Sequence, residues 1–354
     1  MMELDWGNRD PRWAGIQSDS ITIDHVRINL LRADPASVGS DDADPEAAPI
    51  LLVHGLGGAS TNWLDVIADL ARRAPVVAMD LPGFGDTEPP LPEAAHITPQ
   101  VTFLTRLLDA LDWPRAEVHG NSMGGLLSVL LAGQHPDRVE RLVLVSPAMP
   151  TRQPSALLHM DGAMFLQFAA FKLARKTTLK AIRKSYDGST PEELSERIQG
   201  LVLGSDSLYR PPLMDVAVEQ ARAGMGREWR SDSLSHATRD LVTWLTVRQG
   251  AIRAAERAIT ADILLIWGDE DRLVPRAAMD ALTTQRGDIA RHDLAGIGHV
   301  AMIEVPDRYL SIVRTWREAL SATTTDRPES GDDATGAPTD PQTSDDVTTV
   351  GATG

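Results

Sequence analysis

Apolar residues recur along this chain in two rhythms. Continuous runs such as Pro49-Ile50-Leu51-Leu52-Val53 and Ile263-Leu264-Leu265-Ile266-Trp267 read as strands buried on both faces. Between such runs, apolar positions three and four apart read as helices. The pattern predicts strand 50–54, helix 60–72, strand 76–80, helix 98–111, strand 116–120, helix 123–134 and strand 139–145. This alternation demands a parallel sheet with right-handed crossovers. Upstream, the segment Ile21 to Leu30 alternates apolar and polar residues, as one half-buried strand near an antiparallel edge would. The rhythm stops after Ser146 and resumes near Ala261. The insertion carries helical patterns near 154–185, 191–203, 213–224 and 231–258, broken at Gly188, Gly204, Pro211-Pro212 and Gly226. Such an insertion is expected to lie over the carboxyl ends of the strands as a lid.

Candidate chemistry stands where strands end. Gly120-Asn121-Ser122-Met123-Gly124 follows the strand 116–120 and opens a helix. A serine there needs a sharp turn and small neighbours, and the helix start aims its amides at the site. His54-Gly55-Leu56-Gly57-Gly58 closes the strand before it. A glycine-rich turn lets backbone N–H groups point inward, so the Leu56 and Met123 amides are the expected oxyanion donors. His54 reads as a structural histidine that props the turn. Asp269, Glu270 and Asp271 follow the strand 263–267. Asp271 fits an acid that orients a base best, because Val274-Pro275 fixes its loop against the next helix; Asp269 is the rival. Ile289 to Leu294 reads as a strand, and Gly298 then delivers His299 before a helix near Glu304. Of the nine histidines, only His299 follows a strand and a glycine late in the chain. The set is a nucleophile, a base and an acid, in the order Ser…Asp…His.

HGLGG at 54–58, DLPGFG at 80–85, GNSMGG at 120–125, WGDEDRLVP at 267–275 and GHVAMIEVP at 298–306 resemble the α/β-hydrolase superfamily. The likeness covers residues 20–320 and falls in the serine-nucleophile, carboxylesterase- and lipase-like branch with a helical cap. It implies an α/β fold: a mostly parallel twisted sheet, helices on both faces and a helical cap insertion. The implied division is a core over 1–146 and 261–320, a cap over 147–260 and an acidic tail over 321–354. The implied activity is hydrolysis of a carboxylic ester through an acyl-enzyme on Ser122, with Asp271 and His299, and no metal or organic cofactor is required. Haloalkane dehalogenases and epoxide hydrolases need an aspartate at the elbow, so Ser122 argues against both. The same triad can cleave a carbon–carbon bond or a thioester, or form a peracid. Carbon–carbon hydrolases usually carry Trp after the catalytic histidine, and Val300 stands there. A ligand-binding member without catalysis is the remaining alternative.

Met160, Met164, Phe165 and Phe168 in the insertion are candidates for an apolar acyl pocket, or equally for lid core; Trp63 and Phe84 are weaker pocket candidates. All four lysines of the chain, Lys172, Lys176, Lys180 and Lys184, lie four apart and would stripe one side of a helix. That stripe is a solvated face, or a weak contact for an anionic substrate or lipid surface.

Charge and composition refine this reading. The formal charge is −16, but residues 33–49 and 321–354 carry −11 of it. The body is therefore only mildly acidic, and nucleic acid is not an expected partner. The tail is rich in Thr, Asp, Pro, Gly and Ser and cannot bury enough surface to order itself. Residues 1–13 are charged and lack an apolar stretch, so a signal peptide is not expected and the cytoplasm is the default location. No apolar run reaches membrane-span length.

Overall fold

A computed structural model describes residues 6–151, 188–207 and 209–325. Eight strands form one sheet in the order β1-β2-β4-β3-β5-β6-β7-β8. They are β1 Gln17–Ile23, β2 Val26–Ala33, β3 Ile50–Val53, β4 Val76–Met79, β5 Ala116–Asn121, β6 Val139–Val145, β7 Asp262–Gly268 and β8 Ala290–Leu294. From β4 to β8 all neighbours are parallel, and β1 and β2 add an antiparallel edge. The apolar runs explain the centre: β3, β4 and β5 are buried at every position. The helices that follow or flank the sheet are α1 Leu64–Leu70, α2 Ile97–Ala110 and α3 Met123–Gln134. A 3-10 turn, Ser60–Trp63, leads into α1.

Strand order reverses between β3 and β5, because the chain moves outward to β4 before returning to β5. At such a switch point two loops diverge from adjacent strand ends and leave a crevice. The β3–β5 register pairs Val53 with Gly120. The glycine turn after β3 and the serine after β5 therefore leave the sheet side by side.

The segment expected as a single strand over 21–30 is instead a hairpin. Ile23 pairs with Val26, and Asp24 and His25 turn the chain at φ 48° and 68°. Two successive left-handed residues match the twist of the flanking strands. Asp-His lacks the glycine that usually marks this turn, and the alternation runs on through it, so the break is invisible in the pattern.

In the insertion the described helices are α4 Pro191–Val202, α5 Pro211–Gly224, α6 Glu228–Thr246 and α7 Gln249–Ala258. Thr190 and Glu193 close a reciprocal capping box at the start of α4. The pattern over 231–258 is two helices, interrupted at Val247 and Arg248. The helical pattern near 154–185, with Met160, Met164, Phe165, Phe168 and the four lysines, lies outside the described residues. Helix α7 is part of the main core rather than of a lid. A Cβ on Gly133 of α3 would lie 2.5 Å from Ala255 Cα, and Ile252 and Ala255 join the sheet's core cluster. Arg210, just before α5, pairs with Asp10 and with buried Asp65, which also accepts from Trp13 Nε1 at 2.7 Å. The insertion is thus tied to the N-terminal segment, and residues up to Trp316 make one compact unit.

The chain continues through α8 Arg276–Gln285, the short α9 Ala301–Glu304 and α10 Pro306–Thr325, which runs past the expected core boundary at 320. Among the described residues no helix is long and apolar enough to cross a membrane. Gly133→Ala should destabilise the protein by about 1–3 kcal/mol through overpacking against α7, read as a lower urea midpoint at unchanged slope. An unchanged midpoint would mean the two helices separate easily.

Candidate active site

Ser122 sits between the end of β5 and the start of α3 at φ 56° and ψ −119°. A non-glycine residue there costs about 1–3 kcal/mol, so its surroundings must hold it. Its amide donates to Val145 O at 3.0 Å, and its carbonyl accepts from Ala148 N at 2.9 Å and Leu126 N at 3.2 Å. The turn also presses onto β3: a Cβ on Gly124 would lie 2.5 Å from His54 O. Glycine at 124 is therefore a steric demand of the elbow. Ser122 itself is only half-buried.

The turn after β3 is held by two buried polar side chains. His54 Nδ1 donates to Gly55 O at 2.7 Å, and Nε2 accepts from Leu81 N at 3.0 Å. One nitrogen donates and the other accepts, so the ring is the neutral Nδ1–H tautomer. Burial holds its pKa below the ordinary histidine value, in keeping with that state. Asp80 ends β4 as a buried carboxylate. It accepts from Ser60 N at 2.7 Å, Asp86 N at 2.8 Å and Asn29 Nδ2 at 3.0 Å. His54 and Asp80 thereby brace the 54–60 and 80–86 loops. Among the described residues the Leu56 and Met123 amides donate no hydrogen bond; Met123 opens α3, where the first amides have no partner within the helix. Phe84 packs edge-on against His54 at 5.8 Å between ring centroids, and Trp63 is wholly buried 6.4 Å from the Tyr309 ring. Both are packed supports of these loops in the described structure.

The three acids after β7 separate into three roles. Asp271 Oδ2 accepts from His299 Nδ1 at 2.9 Å, while Oδ1 accepts from Leu273 N at 2.8 Å and Val274 N at 2.9 Å. Its side chain is completely buried. Asp269 does not reach the imidazole; its Oδ1 accepts from Gly296 N at 2.7 Å and so ties down the loop before His299. Glu270 turns to the insertion, where Ser205 donates from N at 2.5 Å and from Oγ at 3.1 Å. Backbone bonds from Asp269 N to Leu294 O and from Glu270 N to Ile297 O zip the acid loop to the histidine loop.

His299 is buried, and its Nε2 makes no hydrogen bond, so none joins it to Ser122 Oγ. Asn121, the residue before the serine, donates from Nδ2 to His299 O at 3.1 Å and to Val145 O at 3.1 Å. The structure thus brings His299 onto Asp271 through its ring and onto Asn121, the residue before Ser122, through its backbone carbonyl. Asn121 and Asp80 stood inside motifs of the sequence without a role. Their position at strand ends was the only local sign, because their partners come from distant segments.

Residues 48–306 match the family model described as the alpha/beta hydrolase fold. The chain belongs to that family. This alpha/beta hydrolase is 29% identical over 314 residues to a 2-hydroxy-6-oxononadienedioate/2-hydroxy-6-oxononatrienedioate hydrolase of Burkholderia vietnamiensis, covering 84% of this chain and 96% of that one. It is 28% identical over 268 residues to a 2-hydroxymuconate semialdehyde hydrolase of a Pseudomonas species, covering 75% and 85%. Among solved structures it is similar to a bacterial membrane phospholipase A, with a TM-score of 0.66, 24% identity and coverage of 89% and 91%. That last likeness concerns the fold.

A buried neutral histidine makes stability fall toward acid. His54 has a folded pKa below its unfolded value, so its contribution is present above about pH 6.5 and is lost as pH falls below that. Thermal midpoints should therefore fall from pH 7 to pH 5, and the fall should be smaller in His54→Gln. An equal fall in both proteins would remove His54 from the cause.

Proposed function

We propose that this alpha/beta hydrolase is a serine hydrolase in which Ser122 is the nucleophile, His299 the base and Asp271 the acid that orients it. The observation that carries this reading is the 2.9 Å bond from His299 Nδ1 to the fully buried side chain of Asp271, with His299 Nε2 left unpartnered. An aspartate on Nδ1 directs the lone pair of the base to Nε2, the atom that must accept the serine proton. Catalytic bonds are often long before substrate binds, so the missing serine contact is compatible with the role. Two strand spacings separate β5 from β7, about 10 Å, a span that one imidazole and a carboxylate could bridge.

In the proposed reaction His299 takes the proton of Ser122 as its oxygen attacks the substrate carbonyl. The Leu56 and Met123 amides stabilise the oxyanion, each contributing about 3 kcal/mol to the transition state. His299 then protonates the leaving group and activates the water that releases the acid. The bond we assign is a carboxylic ester with an apolar acyl group. The relatives favour a second reading, hydrolysis of a carbon–carbon bond in a 2-hydroxy-6-oxo dienoic acid. Val300 in place of a tryptophan after the base sets this chain apart from that pattern.

Fluorophosphonate should label the wild type and not Ser122→Ala; well-folded wild type that stays unlabelled would reject the serine mechanism in favour of a ligand binder. Initial rates on p-nitrophenyl esters of rising chain length, a thioester and a 2-hydroxy-6-oxo dienoate then decide the bond, and exclusive turnover of the dienoate would replace the ester assignment. Asp271→Asn should lower kcat by about 10⁴-fold through the wrong imidazole tautomer. Asp269→Asn should cost far less, because an amide oxygen can still accept from Gly296. The reverse ranking would move the acid role to Asp269.

A further inference from the structure

The histidine loop meets the helical insertion through backbone bonds and one shared carboxylate. His299 N donates to Val202 O at 2.7 Å, so the insertion supplies the acceptor for that amide. Glu304, on α9, accepts from Gly298 N at 3.0 Å and from Val300 N at 3.4 Å, the amides on either side of His299. The same carboxylate accepts from Gly204 N of the insertion at 2.8 Å. The approach leaves no room for a side chain: a Cβ on Gly204 would lie 2.5 Å from Gly296 O, and one on Gly298 would lie 2.5 Å from Gly204 N. Two neighbouring contacts strengthen the seat, Ser205 on Glu270 and Arg272 Nη1 on Gly200 O at 2.7 Å. Tyr209, a few residues on, is pushed up to about 12 by burial and by the charge of Glu304.

We propose that Glu304 is a positioning residue for His299 and that it makes the placement of the base conditional on the seating of residues 202–205 of the insertion. This rests on the reading of His299 as the base. A carboxylate has acceptor sites on both oxygens, so one group can hold three amides from two segments at once. If residues 202–205 lift, the His299 amide loses Val202 O and Glu304 loses one of its three donors. The His299 amide is then unheld, and the backbone that aims the imidazole keeps only a Glu304 freed from the insertion, the Glu270 N–Ile297 O bond, Asp269, Asp271 and the Asn121 contact to the His299 carbonyl. Seating of the insertion and alignment of the base are one event in this arrangement. Lifting the insertion would switch the site off without touching Ser122 or Asp271.

Two substitutions test this from opposite sides. Glu304→Gln keeps one acceptor oxygen for the histidine loop but puts an amide nitrogen, a donor, in place of the other. Gly204→Ala leaves Glu304 intact and pushes the insertion off the loop. Each should lower kcat about tenfold to a hundredfold with KM within about twofold, because a base misplaced by about 1 Å costs that much. Fluorophosphonate labelling of Ser122 should slow in parallel. Hydrogen–deuterium exchange should rise in both 202–205 and 296–300 in either variant. The double variant should be no slower than the slower single one, since both break one linkage. A folded variant with wild-type kcat, losses that multiply, or exchange that rises only in the mutated segment would overturn the proposal. If one variant fails to fold, the other decides it. Wild type that neither labels nor turns over any substrate would instead sink the serine-hydrolase reading, and the exchange data would still decide whether the two segments move together.

Discussion

The bond between Asp271 and His299 is the contact on which the site depends, and it joins two loops that have no sequence proximity. A carboxylate on one nitrogen of an imidazole fixes the ring and favours its charged form, and a buried carboxylate is tolerable only when its lone pairs are satisfied. Asp271 meets that condition with two backbone amides of its own loop and the ring N–H of His299. Backbone bonds between 269–270 and 294–297 hold the two loops in register. The sheet places both loops at the same edge, because β7 and β8 are adjacent and parallel.

The other half of the site follows from the reversal of strand order between β3 and β5. Adjacent strand ends with diverging loops put the glycine turn at 54–58 against the elbow at Ser122. The elbow's strained backbone is sustained by bonds to β6 and to the chain just beyond it. Support for the glycine turn comes from below, where neutral His54 and the Asp80 side chain take up loop amides that would otherwise be buried without partners. Polar groups under the site thus act as braces, and among the described residues His299 Nε2 and the Leu56 and Met123 amides, which the proposed chemistry would use, are left without hydrogen-bond partners.

The insertion enters the same logic. Its bonds to the histidine loop, and the Arg210 pairings with Asp10 and Asp65, bind it to both the site and the N-terminal segment. Helix α7 belongs with α3 in the main core, where Gly133 admits Ala255 at backbone distance. Among the described residues, the short link between α4 and α5 bonds to the histidine loop, and α6 approaches the glycine turn, where a Cβ on Gly57 would lie 3.8 Å from Leu234.

Much of this was legible in the chain itself. Continuous apolar runs and the glycines that end them are local signals, so strand order in sequence, the parallel core, the turn at Ser122 and the glycine turn at 54–58 could be placed from the chain alone. The hairpin at Asp24 and His25 escaped because its turn carries no glycine and the alternation continues through it. The break at Val247 and Arg248 escaped because no proline marks it and the nearby Gly250 lies inside the second helix. Which of three consecutive acids meets the histidine, which helix of the insertion joins the core, and which carboxylates hold loops in place were decided only by the tertiary structure. Most of those pairings are hydrogen bonds or steric fits between residues tens to hundreds of positions apart, and nothing local to either partner encodes the distance between them.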